Sequence, residues 1–347
     1  MATIAEVARE AQVGVATVSR VLNASPAVRP ETRRRVLDAI SRLGYAPNAA
    51  ARALSTGRTR AIGVVAPFFT RPSVMERLRG VSHVLAGAGY QLVLYDVERA
   101  AQRDEYFHTL SVGGGLDGLL SISLSPTDAE LDCFAAVGMP VVLVDHPHPR
   151  VPAVYTDDVA GGRLATEHLL GLGHERIAFL GDRERGPHGL RFTSSEMRRV
   201  GYEDALAAAG IEVDRRLVHR GRHGREAAAA MTRELLESAD PPTALFAASD
   251  TQAVAALEAA DSLDVHVPGD LSVVGYDDIE LAHYTGLTTV AQPLERSGAR
   301  GAELLLSALD GSAVTGVELP VELIVRETTR RVATRQLATT GPRAGSP

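Results

Sequence analysis

Carboxylate and hydroxyl side chains stand at the ends of several short apolar runs in this sequence. Asp145 directly follows Val-Val-Leu-Val, Asp277 directly follows Ser-Val-Val-Gly-Tyr, and Ser249 comes two residues after a third apolar run. If these runs are parallel strands, the polar residues lie beyond their carboxyl ends, where such sheets bind ligands. Carboxylates accept hydrogen bonds, and hydroxyls both donate and accept them. The pattern therefore predicts a site for a small polar molecule.

The sequence does not favour catalysis or a metal site. Its eleven histidines are scattered, and the glycine run at 113–115 lacks the Lys-Ser/Thr pair of a phosphate-binding loop. No nucleophile elbow is found. The one cysteine, Cys133, cannot form an intramolecular disulfide or a cysteine-rich metal site. We therefore expect neither an enzyme nor a protein that needs a metal or a cofactor.

The charge of the chain is unevenly distributed. The formal net charge is −7, but residues 1–60 contain ten arginines against four acidic residues, so this end carries +6 and the rest −13. A basic end on an acidic body is expected where one end contacts nucleic acid.

No apolar run approaches the roughly 20 residues of a membrane span, and the N-terminus lacks the features of a signal peptide. We expect a cytoplasmic protein that works at the nucleoid.

The first 46 residues have the pattern of three short helices. Thr3 and Glu6 have the spacing of a capping box ahead of an apolar helical face. Gly14 breaks that helix, a second helix is expected from Val15 to about Leu22, and a third is expected to start near Pro30, with arginines 33–35 largely outward. Two short helices joined by a tight turn are typical of a DNA-binding helix-turn-helix. The residues expected to be buried in the second and third helices are Val18, Val21, Leu22, Val36, Ile40 and Leu43.

Three stretches of this head resemble the lactose-repressor/galactose-repressor (LacI/GalR) family of transcription regulators. They read ATVSRVLN at 16–23, VRPETR at 28–33 and LGYAPN at 43–48, and the similarity continues to about residue 330. The resemblance implies a regulator, expected to be a repressor, that binds a palindromic operator and responds to a small effector. Gly14 and Arg29 depart from the family pattern, because both replace serines that usually cap helices.

The resemblance also implies which residues contact DNA. Val15, Ala16 and Arg20 correspond to base-reading positions of the family, where an arginine suits a guanine and an alanine suits a thymine methyl group. Arg33, if it contacts phosphate, would add affinity without sequence preference. The expected contacts are Thr3, Val15, Ala16, Thr17, Ser19, Arg20, Asn23, Asn48, Arg52 and Leu54.

Residues 47–60 resemble the hinge helix and linker of the family. The stretch 47–55 opens with proline and contains four alanines. At about nine residues it is too short for a stable isolated helix in water. The family implies that two copies of this helix pair on the operator and that Leu54 enters the minor groove. We expect residues 47–55 to fold only on DNA.

From Ala61 onwards, short apolar runs alternate with helical patterns in two successive sets. Such alternation indicates parallel sheets covered on both faces, so we predict a small all-α head followed by an α/β body of two doubly wound lobes. The resemblance implies the architecture of periplasmic sugar-binding proteins, with a ligand cleft between the lobes. The chain would cross between lobes near Thr156–Val159, Gly286–Val290 and Gly316–Glu318. The expected segments are 1–46 for the head, 61–157 and 289–316 for the amino-terminal lobe, 158–288 and 317–330 for the carboxy-terminal lobe, and 331–347 for a disordered tail.

The family match extends the set of ligand candidates. Arg198 and Asp277 are expected to face each other across the cleft, the guanidinium donating hydrogen bonds and the carboxylate accepting them. For Asp145 and Asp157 the sequence leaves open whether they bind ligand, cap a helix or lie at the lobe hinge. A pocket of acids, arginine and serine with few aromatic rings favours a sugar over a purine. The expected effector contacts are Ser73, Val74, Asp145, Asp157, Arg198, His223, Ser249, Asp277 and Leu294.

A homodimer is expected, since one head reads one half-site and hinge helices act in pairs. The tail has no leucine heptads, which argues against a tetramer assembled through it. A solute-binding protein for import would have a signal peptide and no DNA-binding head, and this chain has the reverse. A regulator of the same fold without a small-molecule effector remains as the alternative.

Overall fold

The computed structural model of this protein describes residues 2–22, 25–45, 57–113, 115–183 and 189–332. The chain divides into two compact units, Met1–Arg60 and Ala61–Pro347. No helix within the described ranges is long and apolar enough to cross a membrane. The expected DNA contacts Asn23, Asn48, Arg52 and Leu54 lie outside the described residues, as do most of the hinge and the tail from 333 onwards.

The described part of the first unit is helical. Its helices are α1 (Ile4–Glu10), α2 (Val15–Leu22) and α3 (Pro30–Leu43). The capping box is present, because the Thr3 hydroxyl accepts a hydrogen bond from the Glu6 N–H and the Glu6 carboxylate accepts one from the Thr3 N–H. The buried core of this unit consists of Val7, Ala8, Ala11, Val18, Val21, Val36 and Ala39.

Two expectations about α3 need correction. Leu43 was expected to be buried but is 37% exposed, since Val36 and Ala39 form the buried face and Leu43 lies in the last turn. Arg33 was expected to point outward, but its Nη2 donates a 2.6 Å hydrogen bond to the carbonyl of Ser25 in the loop before the helix. Arg33 therefore fixes this loop, and its guanidinium is not simply available to a phosphate.

The amino-terminal lobe of the second unit contains a parallel sheet. The strands are β1 (Ala61–Pro67), β2 (Gln91–Val97), β3 (Gly118–Ile122), β4 (Val141–Val144), β5 (Ala153–Thr156) and β11 (Val317–Leu319), in the order β11-β5-β4-β3-β1-β2. Every residue of β1 is buried, as expected for a central strand covered on both faces. The helices of this lobe are α4 (Pro72–Gly87), α5 (Ala100–Ser111), α6 (Asp128–Ala136) and α12 (Leu294–Leu309).

The carboxy-terminal lobe repeats this plan. Its strands are β6 (Ile177–Asp182), β7 (Val218–Gly221), β8 (Ala244–Ala247), β9 (Ser272–Asp277), β10 (Thr288–Ala291) and β12 (Glu322–Ile324), in the order β12-β10-β9-β8-β6-β7. All neighbours are parallel except β10 and β12, which are antiparallel. The α-helices are α7 (Asp158–Gly171), α8 (Ser194–Ala208), α9 (Arg225–Leu236), α10 (Asp250–Asp261) and α11 (Glu280–Tyr284).

Two of the three lobe crossings lie later in the chain than the sequence indicated. The second follows Ala291, because β10 pairs with β9 and so belongs to the carboxy-terminal sheet. The third follows Leu319, because β11 pairs with β5 in the amino-terminal sheet. Strands of three or four residues carry too little periodicity for their lobe to be assigned from sequence. The first crossing joins β5 directly to α7.

Candidate DNA-reading helix and ligand cleft

The helix α2 presents a small, accessible outer face. Val15 is 46% exposed, Ala16 and Arg20 are also exposed, and Thr17 and Ser19 are half-buried. Val18 and Val21 anchor the opposite face in the core of the head. Small side chains let the backbone of a recognition helix approach base edges, and the long arginine can reach further. The exposed face of α2 is thus suited to enter a major groove.

Thr3 is already engaged within the head. Its hydroxyl donates a 3.0 Å hydrogen bond to the Glu6 carboxylate and accepts one from the Glu6 N–H. The Glu6 carboxylate also accepts a hydrogen bond from the Thr3 backbone N–H. This backbone bond, and to a smaller extent the bond from the Thr3 hydroxyl, lowers the pKa of Glu6. In the free head the threonine therefore caps α1, and a DNA contact from its side chain would have to share or replace these bonds.

A cavity between the two lobes collects most of the predicted effector contacts. It has a volume of about 80 Å³ and lies at the carboxyl ends of the strands of both sheets. We call it the inner chamber. The predicted contacts that line it are Ser73, Val74, Asp145, Arg198, His223, Ser249 and Asp277.

The other two predicted contacts lie elsewhere. The Asp157 carboxylate accepts 2.9 Å hydrogen bonds from the N–H groups of Val159 and Ala160 and so caps α7. Leu294 lines a separate cavity of about 480 Å³ together with residues of α4 and α11. The structure does not bring these two side chains to the inner chamber.

Arg198 is held rigidly in the carboxy-terminal lobe. Its Nε donates to Asp158 at 2.8 Å, one Nη donates to the carbonyl of Ala248 at 2.6 Å, and the same Nη lies 3.7 Å from an Asp277 oxygen. Its guanidinium also stacks on the Tyr276 ring at 3.7 Å. The expectation that Arg198 and Asp277 face each other across the cleft is therefore wrong: both belong to one lobe, where they form a pair.

Arg77 occupies the corresponding place in the amino-terminal lobe and was not among the predicted effector contacts. Its guanidinium pairs with Asp145 and donates a 3.0 Å hydrogen bond to the Gln292 side chain. Asp145 also accepts a 2.6 Å hydrogen bond from Ser123. The Arg77 side chain is buried, and its Nε has no hydrogen-bond partner among the described residues.

Gln292 connects the two lobes. The side-chain oxygen of Gln292 accepts a hydrogen bond from Arg77. The side-chain nitrogen of Gln292 donates a 2.6 Å hydrogen bond to Asp277. Gln292 directly follows β10, at the second lobe crossing. A continuous polar chain therefore runs from Asp145 through Arg77, Gln292 and Asp277 to Arg198.

The two cleft arginines are presented by equivalent helix crossings. Where α4 crosses α12, a Cβ atom added to Gly80 of α4 would lie 1.9 Å from the backbone carbonyl oxygen of residue 295 on α12. A Cβ atom added to Gly298 of α12 would lie 1.9 Å from the backbone carbonyl oxygen of Arg77 on α4. Where α7 crosses α8, a Cβ atom added to Gly162 of α7 would lie 2.1 Å from the backbone carbonyl oxygen of Arg198 on α8. A Cβ atom added to Gly201 of α8 would lie 2.0 Å from the backbone carbonyl oxygen of residue 159 on α7. Only glycine permits such close backbone contact. Each pair of helices thereby fixes its arginine relative to the strand ends.

This equivalence is a signal that the sequence carried. Arg-x-x-Gly occurs at 77–80 and again at 198–201, in the helix after the first strand of each lobe. Asp145 and Asp277, which pair with these arginines, likewise end or follow equivalent strands, β4 and β9. Comparing the two halves would have assigned Arg77 once Arg198 was known.

The backbone at the cleft is bent sharply. Ser123, Asp145 and Asp277 have φ values of 54°, 80° and 121°, in the left-handed region that favours glycine. Such conformations cost about 1–3 kcal/mol each and cluster at functional sites. The bends turn these side chains from the strand ends into the cleft.

The buried acids and arginines compensate one another. Burial raises the pKa of Asp158 and of Asp277, and Arg198 opposes both shifts. Burial alone would lower the pKa of Arg198, but Asp158, Tyr276 and Asp277 raise it above its ordinary value. Arg77 and Arg198 thus face paired carboxylates, so these two arginines offer hydrogen bonds without an uncompensated charge.

Two further lining residues, Arg71 and Phe192, had no sequence signal. The Arg71 guanidinium lies 4.2 Å from the Phe68 ring centre and 5.4 Å from that of Phe192. Burial lowers the pKa of Arg71, and Asp182 opposes the shift. Asp182 accepts 3.0 Å hydrogen bonds from His223 and from Gln252. These contacts join residues far apart in the chain, which a single sequence cannot reveal.

Comparison with known proteins agrees with this architecture. The family model described as bacterial regulatory proteins, lacI family, matches residues 3–48, and the periplasmic binding protein-like domain matches 166–329. The chain is 37% identical over 338 residues to the HTH-type transcriptional regulator CelR of Thermobifida fusca, covering 94% of this chain and 97% of that protein. The chain belongs to the LacI family. It is therefore a DNA-binding transcriptional regulator, and the relatives are regulators and not enzymes.

Other LacI-family proteins match over nearly the full length. The HTH-type transcriptional repressor CytR of Escherichia coli strain K12 is 34% identical over 336 residues, covering 95% of this chain and 96% of CytR. Among solved structures, a CelR–cellobiose complex is 34% identical with a TM-score of 0.70, covering 94% of this chain and all of that one. A lac repressor dimer bound to operator and the anti-inducer ONPF is 29% identical with a TM-score of 0.81, covering 95% and 99%. The predicted fold class, head and lobes, is confirmed.

Proposed function

We propose that this LacI-family regulator is a repressor that acts as a homodimer on a palindromic operator and is controlled by a neutral, hydroxyl-rich effector, a sugar, bound between its lobes. The operator would be read by Val15, Ala16 and Arg20 of α2. The effector would contact Ser73, Asp145, Arg198, Ser249 and Asp277. These roles rest on the exposed face of α2 and on the composition of the inner chamber.

The observation that carries the effector proposal is the pairing of Arg77 and Arg198 with aspartates of their own lobes. Arg77 pairs with Asp145, and Arg198 contacts Asp158 and Asp277. A phosphate or carboxylate ligand needs an arginine whose charge is free. Sugar hydroxyls, in contrast, can donate to carboxylates that are already ionised and accept from guanidinium N–H groups. Arg77 and Arg198 are accordingly better matched to a neutral polyol than to an anion.

Gln292 suggests how such a ligand would change the relation between the lobes. A sugar in the inner chamber would compete for the acceptors and donors that Gln292 now uses on Arg77 and Asp277. Because Gln292 lies at a lobe crossing, a change in its partners would alter the angle between the lobes. A ligand shifts a conformational equilibrium only through such differential contacts.

The DNA side of the proposal follows from symmetry. One α2 reads a few base pairs, so a palindromic operator needs two heads. A relative is known as a dimer on its operator. Pairing of two hinge helices, with Leu54 in the minor groove, stays a prediction for residues outside the described ranges. Because it would act on bacterial-type operator DNA, the protein would work in the cytoplasm.

A thermal-shift screen of the full-length protein tests the effector proposal. Ligand classes should be neutral sugars, sugar phosphates and nucleosides, each at millimolar concentration. We expect at least one neutral sugar to raise the melting temperature, because a ligand that binds only the folded state stabilises it. The shift should vanish in Asp277→Asn and persist in Asp204→Asn, whose carboxylate lies on the surface. A shift with a sugar phosphate but with no neutral sugar would contradict the proposal.

The alternative, a regulator without a small effector, also has an observation in its favour. The hydrogen-bonding groups of the cleft largely satisfy one another, as in the contacts of Gln292 with Arg77 and Asp277. The same screen separates the two readings. If no ligand of any class shifts the melting temperature while the protein still binds DNA, the alternative stands.

A further inference from the structure

The connection between β6 and α8 in the carboxy-terminal lobe is longer than its counterpart in the other lobe. In the amino-terminal lobe, β1 is joined to α4 by the four residues 68–71, whereas β6 is joined to α8 by the eleven residues 183–193. Of these eleven, the structure describes residue 183 and residues 189–193. We call residues 189–193 the clasp.

Two apolar side chains of the clasp dock in the amino-terminal lobe. Leu190 is 2% exposed and belongs to the hydrophobic cluster between the sheet of that lobe and its helices α5 and α6. Phe192 packs against the same cluster. Among the described residues, the other members of this cluster all lie between Val65 and Tyr155, within the amino-terminal lobe. Leu190 and Phe192 are therefore contributed to this core by a connection of the opposite lobe.

Further contacts hold the clasp against strand ends of the amino-terminal lobe. The ring centre of Phe192 lies 6.3 Å from that of Phe68 and 5.4 Å from the Arg71 guanidinium, and both of these residues follow β1. The hydroxyl of Thr193 lies 3.4 Å from Nδ1 of His146, which follows β4. The clasp thus contacts two strand ends as well as the core of this lobe.

The base of the clasp is fixed in the carboxy-terminal lobe. The backbone N–H of Asp182, at the end of β6, donates a 2.8 Å hydrogen bond to the hydroxyl of Ser195 in the first turn of α8. The Ser195 side chain is buried. Because both flanking elements belong to one lobe, a docked Leu190 ties that lobe to the other.

The clasp joins the lobes at the end of the sheets away from the chain crossings. The three crossings leave β5, β10 and β11, each of which is first or second from one end of its sheet. In contrast, β6, which precedes the clasp, is second from the opposite end of its sheet. A Cβ atom added to Gly189 would lie 3.4 Å from that of Ala100, at the start of the helix that follows the corresponding end strand, β2. Rotation about the crossings separates these far ends most, so a contact here opposes opening effectively.

The clasp bridges a cavity and does not pack along its whole length. The cavity has a volume of about 320 Å³ and is lined by residues 189–194, by the start of α5 and by the segments that follow β3 and β4. The apolar contacts of the clasp are concentrated at Leu190 and Phe192. Such a contact can be released without unfolding either lobe.

We propose that the clasp is a conformational device that favours the closed arrangement of the lobes before any ligand binds. Docking and closure are one event, because Leu190 reaches the other core only while the lobes are close together. Burial of a leucine or phenylalanine side chain favours the docked state roughly tenfold to hundredfold.

Such a device would set the sensitivity of the regulator. The apparent affinity of any ligand that needs parted lobes falls by the fraction of molecules in which the lobes are open. A tighter clasp would therefore raise the ligand concentration to which the protein responds. The inference goes beyond the proposed function, since the clasp acts in the absence of ligand and irrespective of the ligand's class.

Double electron–electron resonance on the full-length protein tests this inference. One spin label is attached to Cys133, the single cysteine, which is exposed on α6, and the other to the thiol introduced by Ala230→Cys at an exposed position of α9 in the other lobe. Labelled chains are mixed with an excess of unlabelled Cys133→Ser chains, so that pairs within one chain dominate the signal. With the native clasp we expect one main distance. Leu190→Asp should replace it with a longer distance, because docking would bury a carboxylate in an apolar core.

Three further variants distinguish a clasp from an ordinary core contact. Leu190→Ala combined with Phe192→Ala should lengthen the distance as Leu190→Asp does. Leu190→Met, which nearly conserves volume, should keep the original distance. Leu110→Ala removes a side chain of the same cluster from within the amino-terminal lobe, so it should lower the melting temperature without lengthening the distance.

The inference is overturned if the folded Leu190→Asp protein or the double variant keeps the original distance, or if Leu110→Ala lengthens it equally. Melting temperatures of all variants show which of them are folded. Either contrary result would leave the proposed sugar effector untouched, because no ligand takes part in the measurement.

Discussion

At the scale of single residues, the cleft depends on arginines whose charges are already compensated. Arg77 and Arg198 are buried, and each is surrounded by oxygen atoms of neighbouring side chains or carbonyls. A buried pair is not by itself a large source of stability, but removing one partner leaves an uncompensated charge. These side chains therefore fix the shape of the site before any ligand arrives.

Replacing Arg77 tests this view. Arg77→Ala should lower the free energy of unfolding by about 3–5 kcal/mol, because Asp145 would remain buried without its partner. Arg79→Ala is the matched control on the same helix, since Arg79 is 64% exposed and pairs with Glu76 at the surface. It should change stability by less than about 0.5 kcal/mol. Urea unfolding of both variants is the measurement, and equal small effects would contradict the role assigned to Arg77.

Arg20 offers the corresponding test in the head. Arg20→Ala should weaken operator binding by about 1–3 kcal/mol and relax one symmetric base position in each half-site. Arg35→Ala, on the exposed side of α3, should leave the base preference unchanged. Selection of preferred duplexes from a random DNA pool measures both. An Arg20→Ala variant with the wild-type preference would show that another residue reads that base.

Residue roles could be predicted from sequence only where neighbours in the chain carry the information. The capping box of Thr3 and Glu6 is local, and the structure confirms it. Arg33 was expected to point outward, because its hydrogen bond to the Ser25 carbonyl depends on how a loop closes and leaves no local sequence signal. Phe192 was missed because its role arises from rings and guanidinium groups that meet only in the folded cleft.

At the scale of elements, two helix crossings hold the site together. The pairs α4–α12 and α7–α8 each approach through glycines that face backbone carbonyls of the partner helix. Close packing of this kind leaves no space for even one methyl group. The strand ends and their helices are consequently fixed more tightly than the hydrophobic pattern alone would require.

Two glycines of α7 provide a matched comparison. Gly162→Ala should destabilise the protein by about 1–3 kcal/mol or more, because its Cβ would overlap the Arg198 carbonyl. Gly171→Ala should be neutral or stabilise by up to about 1 kcal/mol, since nothing lies near its Cβ and alanine favours helices. Thermal and urea unfolding measure both effects. Equal destabilisation by the two changes would argue against a tight crossing.

The histidine ahead of β6 makes a pH-dependent contribution to the carboxy-terminal lobe. His174 joins Thr243 and the carbonyl of Arg330 with 3.0 Å hydrogen bonds, and burial lowers its pKa, with the Arg330 carbonyl opposing. Unfolded histidine titrates near pH 6.5, so the unfolded chain binds a proton that the folded chain does not. Stability from the neutral ring is therefore complete above about pH 6.5 and falls as the pH is lowered towards the folded pKa.

Unfolding measured between pH 5 and 8 tests this contribution. The wild type should lose stability below about pH 6.5, and His174→Gln should lose part of that pH dependence. His83→Gln, at an exposed position of α4, is the control and should retain it. A wild-type profile for His174→Gln would show that other groups cause the acid sensitivity, beginning with His168, whose pKa is also lowered by burial.

The elements themselves were largely predictable, and their lobe assignment was not. Buried runs such as β1, and β9 as far as Tyr276, identify strands because their positions are apolar or small. The short strands β10 and β11 have no such signal, and only their pairing shows to which lobe they belong. Register between distant segments is a property of the folded sheet.

At the scale of the whole molecule, the chain joins a basic DNA-reading head to an acidic body with one cleft shared by two lobes. The family membership explains why these parts occur together. The central claim is that occupation of the cleft by a neutral sugar controls operator binding. Coupling between such sites is typically about 1–3 kcal/mol, or 5- to 150-fold in affinity.

The most direct test is fluorescence anisotropy of a duplex selected from a random pool, titrated with full-length protein in the presence and absence of the sugar found by the thermal screen. The account predicts that the sugar shifts the binding midpoint of the wild type about 10- to 100-fold. Asp277→Asn should bind the duplex as the wild type does without sugar and should lose the shift. An Asp277→Asn variant that responds with the wild-type sugar midpoint, or a wild type that does not respond to the bound sugar, would contradict the account.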